Sequence, residues 1–399
     1  MRRVAGRSHG QGKGSDEVCG AGIISLLADH GVSRWLDGAE WQEPNPRRLA
    51  RLVDDGLITG LALGPEPLTR SLARRAGWPS GPGRAVRPVR PLSEAGPAAE
   101  ALLAAEGRRA CDVLLPVHER TGGRDGHVTL EVGPVADTAT ALRLARAVDR
   151  PNALVALPAG PEGLAAAADC LAEGIGVDLG PVLSPAHYGR AAGAWLDGLR
   201  RAHRAGRDLS AIRAVVSVPL APVDAAFDER LRLSPSDAAR MMRGEAALAS
   251  ARLVFHRHEQ LLAGPDWREL AALGARRHRV RWTDTTDRAP GPPGTRYVDE
   301  LVVRGAITTL GPATLEAVAE RGNPRGDAVT GRSRAAARVL DSLEILGAPY
   351  APTTRELAAR ATSSRAARWN ALLAEVSGSP GRGGHPRPAE AGDPPPPQR

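Results

Sequence analysis

The chain has 399 residues, 42% of them apolar and only 3% aromatic, which is enough for one large core built mainly from Ala, Leu and Val. Its 53 basic residues against 45 acidic ones leave a formal charge of +8, and nearly all the basic residues are arginine, with Lys13 the only lysine. Arginines spread through helices and tails, with few aromatics for base stacking, argue for a solvated surface and against nucleic acid, and no run of about 20 apolar residues offers a membrane span.

Cys19, Cys111 and Cys170 show no metal-ligand spacing and leave an odd thiol, as expected of reduced cysteines in a cytosol. Residues Gly10 to Glu17 are polar where a signal peptide needs an apolar run, so a cytoplasmic protein is expected.

Residues 1–18, rich in Gly, Ser and Arg, read as a disordered lead. Eight short strands follow, roughly Ser33–Asp37, Ile58–Leu63, His127–Val132, Ala153–Leu157, Ile175–Leu179, Ala214–Val218, His278–Trp282 and Ile307–Leu310. Helical stretches fall between them, among them Asp137–Val148, Pro161–Glu173 and Ala186–Ala205, with a longer run over Ser236–Leu262. A Pro/Gly/Arg-rich stretch, 77–91, reads as a surface insertion, because strand–helix alternation resumes on both sides of it. The tail, 377–399, ends in Pro394-Pro-Pro-Pro-Gln-Arg and cannot offset its ordering entropy by burial. Eight strands alternating with helices over residues 19–376 predict an α/β fold, a single (β/α)8 barrel of the TIM type. A doubly wound open sheet is the alternative.

The fourth strand carries the most information. Ala153 to Leu157 is a short apolar run ended by Pro158, and Pro161-Glu-Gly-Leu opens an alanine-rich helix with proline in its first turn, where a missing N–H costs little. Further segments lie in order along the chain: Trp35-Leu-Asp, Ala110-Cys-Asp-Val-Leu-Leu-Pro-Val, Leu130-Glu-Val with Asp137-Thr, Asp149-Arg-Pro-Asn, Ala172-Glu-Gly-Ile, Tyr297-Val-Asp-Glu-Leu and Gly311-Pro-Ala-Thr-Leu-Glu. In order and spacing the chain from Ala28 to about Leu373 resembles the actinobacterial branch of the transaldolases.

That resemblance implies a cytoplasmic class I aldolase-type barrel of the pentose phosphate pathway, which moves a dihydroxyacetone unit between sugar phosphates through a Schiff base on lysine. Such chemistry needs an amine nucleophile, carboxylates with a water, polar groups for sugar hydroxyls and a basic phosphate clamp. The family's fourth strand carries the lysine where this chain has Ala156, a residue that ordinarily belongs to the core. Asp37 stands where the family places a carboxylate, and Glu131, expensive to bury unless paired or working, is the strongest acid/base candidate.

Asp178 replaces an asparagine, Ser217 and Thr285 are kept, and Arg288 stands for a lysine, giving four candidate substrate contacts. Elsewhere the pattern has lapsed: Ala62, Leu63 and Gly64 replace a Thr-Ser-Asn trio, Gly180 a threonine, and Pro222 the phosphate-binding arginine. The implied reading is a degenerate homologue without Schiff-base transfer. It would bind a small-molecule sugar phosphate or a protein partner, such as an active paralogue or another pentose-pathway enzyme, without cofactor, metal, nucleic acid or membrane. The alternative is an enzyme of altered lyase or isomerase chemistry, with Glu131, Asp37 and Asp178 holding a divalent metal.

Overall fold

The computed structural model describes residues 15–39, 46–77, 92–133, 135–286 and 294–378. All eight expected strands form: β1 (Ser33–Asp37), β2 (Gly60–Leu63), β3 (His127–Glu131), β4 (Ala153–Leu157), β5 (Val177–Leu179), β6 (Ala214–Pro219), β7 (Arg279–Thr283) and β8 (Ile307–Leu310). Each pairs in parallel with the next, and β8 returns to pair with β1, so the sheet closes into a barrel and the open-sheet alternative falls. Some ends differ from expectation by one or two residues: β2, β3 and β5 are shorter than the apolar run, and β6 and β7 end one residue later.

Sequence signals set the joints. Asp137 caps the helix Thr138–Val148 by accepting from the Thr140 N–H at 2.8 Å, and Asp149 ends it in a left-handed conformation. Asn152 then donates through Nδ2 to the carbonyls of Cys111 and Gly126, at 2.9 and 2.8 Å, which fixes the start of β4 against its neighbours. After β4, Pro161 opens the helix Pro161–Ala172. Gly163 lies so close to the Pro158 carbonyl that any Cβ would collide with it, which accounts for glycine at this position.

Two expectations need correction. The run Ser236–Leu262 is two helices, Asp237–Met241 and Ala246–Leu262. Gly244 breaks it with φ +76°, and its N–H donates to Asp228 Oδ1 at 2.9 Å in place of a helical carbonyl. The first helix begins at Ser15, inside the stretch read as a disordered lead; residues 1–14 of that lead lie outside the described residues. So do most of the insertion 77–91 and all of the tail beyond Gly378.

The barrel interior is layered. Trp35, Leu154, Val215 and Ile307, from β1, β4, β6 and β8, form a small apolar cluster of their own inside the barrel. The larger core lies between the sheet and its ring of helices. Cys111 and Cys170 are buried there as free thiols, and burial pushes both up to about 12. No helix among the described residues is long and apolar enough to cross a membrane.

Trp35 sets a tight constraint, because it is paired with Gly60 on β2 and a Cβ there would run into the indole. Gly60→Ala should therefore lower the unfolding free energy in a urea titration by about 1–3 kcal/mol through overpacking. Gly193→Ala, in a helix interior with open space around it, should raise it by about 0.5–1 kcal/mol. Equal effects would contradict this account of Trp35.

Candidate functional site

A cavity of about 530 Å³ opens at the carboxyl ends of the strands and is roofed by the last helix, Tyr350–Ser377. Its wall includes Asp37, Glu131, Ala156, Asp178 and Ser217, five of the seven residues singled out in the sequence. Carboxyl ends of barrel strands are where such folds assemble their sites.

Ala156 is not a core residue: it is half-buried, and its methyl forms part of the cavity wall. It is paired with Glu131 on β3 and with Asp178 on β5, so carboxylates flank it on both sides. Both are already engaged. Asp178 is 1% exposed, ion-paired to Arg281 Nη2 at 2.6 Å, and accepts from the Ser217 hydroxyl at 2.5 Å. Arg281 Nε in turn donates to Ser217 Oγ at 2.9 Å, and the guanidinium sits 5.4 Å above the Trp35 ring. Burial pushes the Asp178 carboxyl above its usual range, and Arg281 and Ser217 only partly offset this.

Glu131 is held from above. Trp369 Nε1 donates to its Oε1 at 3.0 Å, Arg368 Nη2 to its Oε2 at 2.8 Å, and Arg365 Nε lies 3.5 Å away. Arg368 also pairs with Glu66 at 2.6 Å, and Arg365 donates to the carbonyls of Val132 and Gly133. Burial raises the Glu66 carboxyl, while the Arg368 charge works to lower it. Glu131 is therefore the anchor of the roof, and its paired state answers the cost of burying it in a strand.

Asp37, at the end of β1, accepts from the Ala39 N–H at 2.9 Å in a tight turn. Thr285 does not reach the cavity: its hydroxyl donates to the Thr309 carbonyl at 2.6 Å and the residue is 2% exposed. Ser217, expected to meet substrate, is spent on Asp178 and Arg281. Arg288 lies outside the described residues. The three-carboxylate metal site fails on geometry, since guanidinium groups occupy Glu131 and Asp178, and no cluster of three His, Cys, Asp or Glu fit for a metal occurs among the described residues.

Four important residues were missed in the sequence: Glu66, Arg281, Arg365 and Arg368. Arg281 alternates with Val280 and Trp282 in a strand, so a charge on the inward face was readable there. Arg365, Arg368 and Trp369 stand at helical spacing, which puts them on one face of the last helix. In all, the cavity wall carries five carboxylates (Asp37, Glu66, Glu131, Asp178 and Asp284) against four guanidiniums (Arg281, Arg360, Arg365 and Arg368).

The model of the Transaldolase/Fructose-6-phosphate aldolase family matches residues 84–376, which takes in six of the eight strands, all but β1 and β2. Transaldolase 1 of Streptomyces avermitilis is 36% identical over 89% of this chain and 95% of its own length. The chain belongs to the transaldolase family. The transaldolases of Acidothermus cellulolyticus and Thermobifida fusca are equally similar, at 36% identity over 89% of the chain. The closed barrel with its site at the strand ends is the fold that membership and sequence both imply. Ala156 on β4, Arg281 on β7 and the roof over Glu131 set the chemistry of this cavity.

The Arg281–Asp178 pair yields a direct prediction. Arg281→Leu leaves a buried carboxylate unpaired and should cost about 3–5 kcal/mol in urea unfolding. Adding Asp178→Asn should recover most of that loss. Additive losses from the two changes would mean that the pair is not coupled.

Proposed function

We propose that this transaldolase-family chain has given up imine chemistry and holds a sugar phosphate without turning it over, acting as a binding or regulatory partner of an active transaldolase or another enzyme of the same pathway. The observation that carries this is the Ala156 methyl in the cavity wall, between Glu131 and Asp178, where the family resemblance calls for lysine. None of the eight strands contains a lysine, and the chain's only one, Lys13, precedes the first helix. Arg281 cannot stand in, since guanidinium stays protonated and makes no useful imine.

Two of the three carboxylates weighed for acid–base work are committed as well. Proton transfer needs a carboxylate free to change state beside the substrate, whereas Glu131 is fixed by two arginines and an indole and Asp178 by Arg281 and Ser217. Binding remains supported. The cavity volume suits a small polar ligand, and Arg360 at the wall pairs with Glu229 at 3.2 Å in a pair more than half exposed on both sides. Such a surface pair is worth at most about 1 kcal/mol and gives way readily to a phosphate group.

Borohydride reduction in the presence of fructose 6-phosphate, followed by mass spectrometry, should give no adduct with this chain. Ala156→Lys should give one, because the new side chain enters the cavity, yet should not restore transfer to erythrose 4-phosphate with Gly64, Gly180 and Pro222 in place. A reduced adduct on the unaltered chain, or transfer at a rate typical of its active relatives, would overturn the proposal.

A further inference from the structure

Five polar atoms on residues that line the cavity are buried without a hydrogen-bond partner among the described residues: Glu66 Oε2, Asp178 Oδ2, Arg368 Nε, Arg281 Nη1 and Thr309 Oγ1. The first three belong to the Glu66–Arg368 and Asp178–Arg281 ion pairs, which leaves Arg281 Nη1 and Thr309 Oγ1 as the two donors on β7 and β8 with nothing opposite them. The two residues are 7% and 2% exposed. Arg281 is paired with the neighbourhood of Ile307 on β8, and Thr309 lies two residues further along that strand. Strand alternation therefore puts both on the inward face, one rung apart, on adjacent strands. An unsatisfied buried donor costs about 1–3 kcal/mol, so two such donors one rung apart on adjacent strands call for an acceptor oxygen from a ligand. Elsewhere in the same cavity wall, the small Ala156 side chain leaves room that a longer one would fill.

The chemistry of that oxygen follows from its surroundings. A guanidinium only donates, and a threonine hydroxyl can donate too, so the fitting partner is an acceptor with two lone pairs. An anionic acceptor is disfavoured: Asp178 lies 2.6 Å from the neighbouring Nη2 and offsets the charge of Arg281, and the wall carries five carboxylates against four guanidiniums. An uncharged carbonyl oxygen meets both requirements.

We propose that Arg281 and Thr309 form a non-covalent carbonyl site at the base of the cavity, which holds the ketone or aldehyde oxygen of a short sugar phosphate by two hydrogen bonds. The inference rests on the reading of the cavity as an imine-free binding site, and it makes Arg281 the residue that selects carbonyl sugars over their alcohols. The ligand is released unchanged, since no bond to the protein forms. Its phosphate end lies toward Arg360.

Calorimetric titration with three small phosphates tests this: dihydroxyacetone phosphate, glycerol 3-phosphate and 3-phosphoglycerate, which offer a ketone, an alcohol and a carboxylate. The ketone should bind at least about tenfold more tightly than the alcohol, and the carboxylate no better than the alcohol. Thr309→Val, which leaves the ion pair intact, should reduce the preference for the ketone. The double change Arg281→Leu with Asp178→Asn, which leaves no buried charge alone, should abolish it. Equal affinity for ketone and alcohol, tightest binding of the carboxylate, a preference that survives both variants, or no binding of any probe at millimolar concentration would each overturn the proposal. Borohydride treatment of the same samples keeps the two claims apart, because a trapped adduct would count against imine-free binding and not against the carbonyl site.

Discussion

A guanidinium and a carboxylate, Arg281 and Asp178, face each other inside the barrel with the Trp35 ring beneath the arginine. Two buried charges are tolerable only as a well-made pair, since removing either leaves the other without compensation. The pair uses Ser217 as a third member, so Asp178 and Ser217 are taken up and Arg281 keeps only Nη1 for a ligand. Ala156 is paired directly with Asp178 on the next strand, with only a methyl to offer. The positive charge inside this barrel thus comes from β7 and is permanent, whereas imine formation needs an amine that can lose its proton.

A similar pairing closes the cavity from above. Glu131 and Glu66 are gathered by Arg368, with Arg365 and Trp369 completing the shell around Glu131. These contacts bind the last helix to the ends of β3 and to the segment after β2, so the roof is part of the charge balance of the site. Acidic groups in the wall slightly outnumber basic ones, and nearly every one of the charges has an intramolecular partner. A cavity arranged in this way favours ligands recognised by hydrogen bonds over those drawn in by net charge.

The sequence made the scaffold legible because its signals are local. Apolar runs of four to six residues, Asp137 as a cap, Pro161 in a first turn and glycine at Gly163 each specify a joint without reference to distant parts of the chain. The one helix misjudged, Ser236–Leu262, failed because periodicity outweighed a single glycine whose N–H is taken by Asp228. The site was legible only in its positions. Asp37, Glu131, Ala156, Asp178 and Ser217 do meet at the cavity, but their roles depend on partners far away in sequence: Arg281 for Asp178, and Arg368 for Glu131. Thr285 shows the same limit, since nothing near it in sequence indicates that its hydroxyl turns to the Thr309 carbonyl.

The central claim is that no carbon–nitrogen bond to substrate forms in this barrel. Carbon-13 NMR of fructose 6-phosphate labelled at C2, mixed with an equal amount of the intact chain, observes that carbon directly. The account predicts only the resonances of the sugar's own ring and open forms, shifted or broadened by binding. A new imine or enamine resonance tied to the protein would contradict it.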